Sequence, residues 1–284
     1  MRKEYYDYLK FIDDALEIAK KIPKYFSRFS NRIYCNHQKF AIYILMQKFR
    51  TTTRGIVSIL RASSDLRMHL GLSRVPVHTT IVRFVNKIRS QINNLLDIKQ
   101  AECVAVDATG FELENKSYYY RTVWNRCRKI KKFMKLNAVI DVKTHRILAY
   151  KIYKSCRHES KDFTELLKDL NVKYVLADKG YSSKANRNFV VRKLNAIPII
   201  PKKKNEGKYY VRLGKILPFD EKRYHKRSLI ENVFFCIKKN YGSVLRCKSS
   251  ATQKVELTSK LIAHNVDRMQ HLCLLIFRGL HQRL

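Results

Sequence analysis

The chain has 284 residues, 45% of them hydrophobic, with 59 Lys and Arg against 23 Asp and Glu, a formal net charge of +36. That apolar content suits a folded protein with its own core, in one large domain or two smaller ones. No run approaches the ~18 apolar residues of a transmembrane helix. The positive excess runs along the whole length, so a polyanion is the expected partner, nucleic acid before any anionic membrane. The start, MRKEYYDYLKFIDDAL, has acids where a signal peptide would have an apolar stretch. Seven scattered cysteines without a CxxC pair exclude a disulfide framework and suit a reducing, cytoplasmic compartment.

Residues 1–98 read as helical. KFAIYILMQKFR (39–50), RGIVSILRASS (54–64) and HTTIVRFVNKIRSQINNLL (78–96) carry apolar positions at helical spacing. Ser64 is the expected N-cap of DLRMHL, Gly71 ends that helix, and Pro76 suits the first turn of the next. Helix, short turn, helix is the outline of a helix-turn-helix, whose second helix would present His78, Thr79, Thr80 and Arg83 where base edges are read. Helical bundles contain the same corner, so plain packing accounts for any one of these side chains equally well.

The pattern changes near residue 101. ECVAVDATG reads as a short strand closing at Asp107, and KLNAVIDV (135–142) with RILAYKIY (146–153) as a hairpin around KTH. ESKDFTELLKDL (159–170) is an amphipathic helix, VKYVLADKGYSS (172–183) a strand ending at Asp178, SKANRNFVVRKL a helix and NAIPIIPKKK a strand. A helix through YHKRSLIENVFFCIKK (224–239) and a last apolar helix over 252–277 complete the order. The expected architecture is therefore α/β: residues 99–284 form an RNase H-like core, a mixed five-stranded sheet with flanking helices. An all-α, helix-turn-helix-like domain over 1–98 precedes it.

Three carboxylates stand out in this basic background. Asp107 and Asp178 are each read as closing a strand, where open α/β sheets gather ligands. A strand-ending Asp is also a common turn former. Glu231 lies in the helix 224–239. At about 100° per residue, with Tyr224 as zero, Arg227 falls near −60°, Glu231 near −20° and Lys238 near −40°. Leu229, Ile230, Val233, Phe234, Cys236 and Ile237 form an apolar stripe on the other side. An Arg227–Glu231 ion pair, worth only ~0.3–0.5 kcal/mol, explains two of these residues and leaves the aspartates unexplained. Three carboxylates in a basic protein suit two divalent cations, Mg²⁺ or Mn²⁺ by their hard oxygen ligands. The surrounding Lys and Arg suit a phosphate backbone. Trp124, among Arg121, Arg126 and Arg128, suits stacking on a base or ordinary packing.

The stretch Tyr224-x2-Arg227-x3-Glu231-x6-Lys238 resembles the Y-(2)-R-(3)-E-(6)-K signature of insertion-sequence DDE transposases, in the insertion-sequence-five-like and insertion-sequence-four-like groups. VDATGF (106–111) and LADKGYSS (176–183) resemble the family's first and second Asp motifs, and residues 64–84 its amino-terminal region. The resemblance implies Asp107, Asp178 and Glu231 as catalytic acids and ligands of two Mg²⁺ or Mn²⁺ ions. Arg227, Lys238 and Tyr224 would hold DNA, together with His78, Thr79, Arg83, Trp124, Arg126 and Arg128. It implies binding of terminal inverted repeats, cleavage that frees a 3′-hydroxyl, and joining of that hydroxyl to target DNA, by a homodimer on double-stranded DNA. The setting would be a prokaryotic nucleoid, with no membrane partner. Relatives often carry His-Asp where this chain has His158-Glu159, and His158 receives no catalytic role. Two other readings fit the same residues: an inactive or domesticated helix-turn-helix regulator, and a nuclease of the same fold that cuts and never joins.

Overall fold

The computed structural model describes residues 7–96, 98–114, 133–154, 159–202 and 219–281, with the side chains of 94 and 273–281 excepted. Five helices come first: α1 (Tyr8–Ala19), α2 (Asn36–Lys48), α3 (Thr53–Ala62), α4 (Ser64–His69) and α5 (His78–Lys87). Local chemistry sets their starts. Asp7 Oδ1 accepts the amides of Leu9 and Lys10 at 2.9 and 3.1 Å. Cys35 caps α2 with its thiol, and Gln38 returns the bond by accepting the Cys35 amide at 3.0 Å, a capping box built on sulfur. Thr52 caps α3.

Two details depart from the sequence reading. Ser63 rather than Ser64 caps α4, accepting the Leu66 amide at 3.3 Å. Pro76 precedes α5 instead of opening it. Val77 holds the extended N-cap position without a side-chain bond, as expected of a residue with no acceptor.

The chain then enters a sheet. Its elements are β1 (Gln100–Leu113), β2 (Phe133–Asp141), β3 (Ile147–Tyr153), a 3₁₀ turn Glu159–Asp162, α6 (Phe163–Leu167), β4 (Asn171–Ala177), a 3₁₀ turn Lys179–Tyr181, α7 (Lys184–Arg192) and β5 (Ile197–Ile199). After these come α8 (Glu221–His225), a 3₁₀ turn Lys226–Ser228, α9 (Leu229–Tyr241), β6 (Val244–Leu245) and α10 (Ser250–His281). The strand order is β3-β2-β1-β4-β5, with β6 joined to the end of β1 at Glu112 and Leu113. β1, β2 and β3 are antiparallel neighbours, whereas β4 and β5 run parallel to β1. This is the RNase H-like α/β arrangement, with a short sixth strand beyond the five expected.

By contacts the chain divides into two compact units. One comprises Met1–Leu95, Asn240–Gly242 and Cys247–Leu284, the other Leu96–Lys239 and Ser243–Arg246. The helical unit is thus built from both ends of the sequence, whereas a single cut at 98/99 leaves α10 with the sheet. α10 packs against α1 and α2, and every residue from Val255 to Val266 is buried. Two of its charged members are paired: Lys260 Nζ donates to the Gly242 carbonyl at 3.0 Å, and Asp267 receives Lys48 at 2.6 Å. Gly242 has φ +87°, a conformation that glycine adopts without strain.

In the α/β unit one core lies on the face of β1, β2 and β4 that carries Val104, Val106, Val139, Val175 and Ala177. Phe163, Leu166 and Leu167 of α6, Tyr181 and Val190 of α7 pack there.

Candidate active site

Asp107 lies in the middle of β1, not at its end. The strand runs on because Phe111 and Leu113 are buried and pairing with β2 continues to Glu112↔Phe133. What ends at this point is the parallel neighbour: Val106 pairs with Ala177, the last residue of β4, and Asp178 follows at once. Asp107 and Asp178 therefore stand one residue beyond the last parallel pair, on neighbouring strands about 4.8 Å apart. Asp107 alternates away from the core residue Val106 and shares its face of the sheet with Thr109.

Asp178 is locked onto its turn. Its Oδ1 accepts the amides of Gly180 at 2.9 Å and Tyr181 at 3.3 Å. A Cβ at position 180 would meet that same oxygen at 3.0 Å, so glycine suits the close approach. Asp107 is mostly covered, with 19% of its side chain exposed. Burial pushes its carboxyl up to about 6, against the Ala108 amide bond and the Arg227 charge, and the charges of Asp178 and Glu159 add to the rise.

The segment 224–239 is not one continuous helix. The 3₁₀ turn Lys226–Ser228 separates α8 from α9. Three residues at about 120° rather than 100° rotate Tyr224 by roughly 60° against Glu231. Tyr224 packs on Phe219, ring centroids 5.2 Å apart, and the Arg227 guanidinium lies 6.0 Å from its ring. Arg227 bridges two of the carboxylates: Nη2 is 2.8 Å from Glu231 Oε1 and Nη1 is 3.5 Å from Asp107 Oδ2. Lys238 Nζ donates to Thr109 Oγ1 at 2.7 Å and lies 5.4 Å from the Phe111 ring.

α9 buries Ile230, Val233, Phe234 and Ile237. Cys236, read as part of that stripe, is exposed, because it falls roughly 115° from the stripe's centre. The same geometry leaves the Glu231 side chain 56% exposed and Lys238 half-buried.

Four residues that sequence reasoning did not single out line the same region. Fully buried Tyr181 donates its hydroxyl to Asn137 Oδ1 at 3.1 Å. Burial, then the charges of Glu159, Asp107 and Asp178, push that hydroxyl's pKa far up, so it remains a donor. Glu159 pairs with Lys135, and Thr109 receives Lys238. A polar Asn inside the apolar strand KLNAVIDV was the one available signal.

In the helical unit α5 buries Ile81, Phe84 and Val85. Thr79, Val82 and Arg83 are exposed and His78 is half-buried. Trp124, Arg126, Arg128 and His158 lie outside the described residues.

Among the described residues, no three of His, Cys, Asp and Glu form a group able to hold a metal ion. Glu231 is instead drawn to Arg227. The donor chemistry nevertheless fits a divalent cation. Asp107, Asp178 and Glu231 offer only hard carboxylate oxygens, and the raised Asp107 carboxyl reflects burial and negative charge that a cation would offset.

Neighbouring aspartates and a helix carrying Glu231 and Lys238 thus meet at one end of the parallel β1–β4 pairing. A family model described as the transposase DDE domain matches residues 98–266, more than half of the sequence. The chain belongs to that family, which consists of DNA-cleaving, strand-transferring enzymes that use divalent metal ions. No curated protein matches the chain at a significant level. Among solved structures it is similar to the piggyBac transposase synaptic complex with hairpin DNA, determined by cryo-EM. Identity is 10% and the TM-score 0.48, over 94% of this chain and 75% of that one.

Proposed function

We propose that this DNA transposase is the product of an insertion sequence. It binds the element's terminal inverted repeats, cleaves the ends and joins the freed 3′-hydroxyl to target DNA. The observation that carries the reading is the position of Asp107 and Asp178, each one residue beyond the last parallel β1–β4 pair, with Arg227 tying Asp107 to Glu231.

In this reading Asp107, Asp178 and Glu231 hold two Mg²⁺ or Mn²⁺ ions. Such ions supply activation of the attacking oxygen and charge neutralisation at the leaving one. Arg227 and Lys238 hold phosphates, and Tyr224, packed at a tilt against Phe219, positions the backbone or a terminal base. His78, Thr79 and Arg83 of α5 read base edges in a helix-turn-helix formed with α4. Trp124, Arg126 and Arg128 add DNA contacts. A homodimer bridging two ends, in a prokaryotic cytoplasm at the nucleoid, completes the proposal.

Purified protein and a labelled element end test it. Asp107→Ala, Asp178→Ala and Glu231→Ala are each expected to abolish Mg²⁺- or Mn²⁺-dependent cleavage while gel-shift binding in EDTA persists. Cleavage retained by all three variants would refute the assignment. A pre-cut end separates a transposase, which joins it to target DNA, from a nuclease of the same fold. A regulator would bind without cutting.

A further inference from the structure

A buried hydrogen-bond chain runs behind the two aspartates. Tyr181 reaches Asn137 Oδ1 through its hydroxyl at 3.1 Å, and both residues are fully buried. Asn137 Nδ2 donates to the main-chain carbonyl of Glu159 at 3.2 Å. Asn186, also buried, donates through Nδ2 to the Tyr181 carbonyl at 2.8 Å and to Ser160 Oγ at 3.0 Å. The ends of this chain matter. Asn137 lies opposite Ala108 in the β1–β2 register, next to Asp107. Tyr181 closes the 3₁₀ turn whose Gly180 and Tyr181 amides hold Asp178.

Stability alone does not call for such a chain. Tyr181 packs in an apolar core against Phe163, ring centroids 5.6 Å apart, where a phenylalanine ring would fill the same space. Buried polar groups are costly when one partner is missing, and replacing both by apolar groups of like shape is often neutral. What the bonds add is a tie between the turn of Asp178 and β2, at the residue that pairs with Ala108 beside Asp107.

We propose that Tyr181 and Asn137 are positioning residues that set the separation of the Asp107 and Asp178 carboxylates to the geometry of a small octahedral cation. The proposal rests on the reading of those aspartates as metal ligands. It has a signature that a merely structural role lacks. Mg²⁺ demands near-ideal octahedral geometry at about 2.0–2.1 Å, whereas Ca²⁺ tolerates variable, longer coordination. Loosening the strut therefore erodes selectivity between ions.

The experiment uses the full-length protein and Mn²⁺ binding followed by electron paramagnetic resonance, with Mg²⁺ and Ca²⁺ as competitors. Tyr181→Phe keeps the ring and removes the hydroxyl, and Asn137→Ala cuts the strut at its other end. Each is expected to weaken Mn²⁺ and Mg²⁺ binding about five- to tenfold and Ca²⁺ binding less than twofold, and the double variant is expected to be no worse than either single one. DNA binding in EDTA stays unchanged, and a thermal melt confirms that each variant is folded at the assay temperature. Unchanged affinities in folded Tyr181→Phe, or equal losses for all three ions, overturn the proposal. Asp178→Ala separates the two levels. If it leaves Mn²⁺ binding intact, the site itself is misassigned. If it abolishes binding while Tyr181→Phe does nothing, only the strut fails.

Discussion

At the scale of single residues, Asp107 is a carboxylate held where burial disfavours its charge. Its carboxyl is raised to about 6 from an ordinary value of 3.8, so the folded chain holds that proton more tightly than the unfolded one. The sign follows from linkage. The folded state has its full stability below about pH 4 and loses some as pH rises through 6, because ionised Asp107 is held where burial disfavours charge. Asp107→Asn removes that cost. In EDTA it is expected to stabilise the protein by about 1–2 kcal/mol at pH 8 and by almost nothing at pH 4, measured by denaturant titration at both pH values. Saturating Mn²⁺ should reverse the order, because the wild type alone gains a ligand. The acids themselves were legible from their motifs, but their setting was not. ECVAVDATG gives no sign that the strand continues past Asp107, because the residues that extend it, Phe111 and Leu113, follow a glycine that reads as a turn. Asn137 and Tyr181 were missed because an Asn inside a strand and a Tyr after a glycine have ordinary local explanations, and only the register brings them together.

At the scale of elements, the order of strands and helices was readable, since hydrophobic period and turn chemistry agree along residues 100–200. Two features were not. The 3₁₀ turn Lys226–Ser228 is invisible to a calculation at constant pitch, although the Arg227–Glu231 pair survives it. The partner of α10 is set by tertiary packing, which periodicity does not encode. Twelve consecutive buried residues, Val255–Val266, form a helix covered on all sides, and α1 and α2 supply part of that cover. A fragment of residues 1–98 lacks that helix and exposes the faces that pack on it. It is expected to show little cooperative unfolding and to aggregate, whereas the same fragment mixed or fused with residues 247–284 regains a sigmoidal thermal transition in circular dichroism. A cooperative melt of 1–98 alone would contradict this.

At the scale of the whole molecule, charge dominates. A net +36 spread along the sequence makes DNA affinity largely a matter of counterion release. With roughly six to ten phosphate contacts, the slope of log K against log salt is expected to be about −5 or steeper, and affinity to fall about 10³-fold or more between 50 and 200 mM salt. Arg83→Ala should lose specificity for the element's end if it reads a base, and only about one unit of slope if it holds a phosphate. Fluorescence anisotropy with matched and scrambled duplexes measures both. A protein this adhesive to DNA faces a hazard of timing, because a site that cut whenever it met a chromosome would damage its host. Arg227 bears on that hazard. Its guanidinium occupies the gap between Asp107 and Glu231 as a resident cation, and it is also the side chain proposed to grip phosphate. In the proposed reading, filling the site with metal would ask the arginine to leave, and DNA would give it somewhere to go. One side chain would thereby make the cut wait for its substrate.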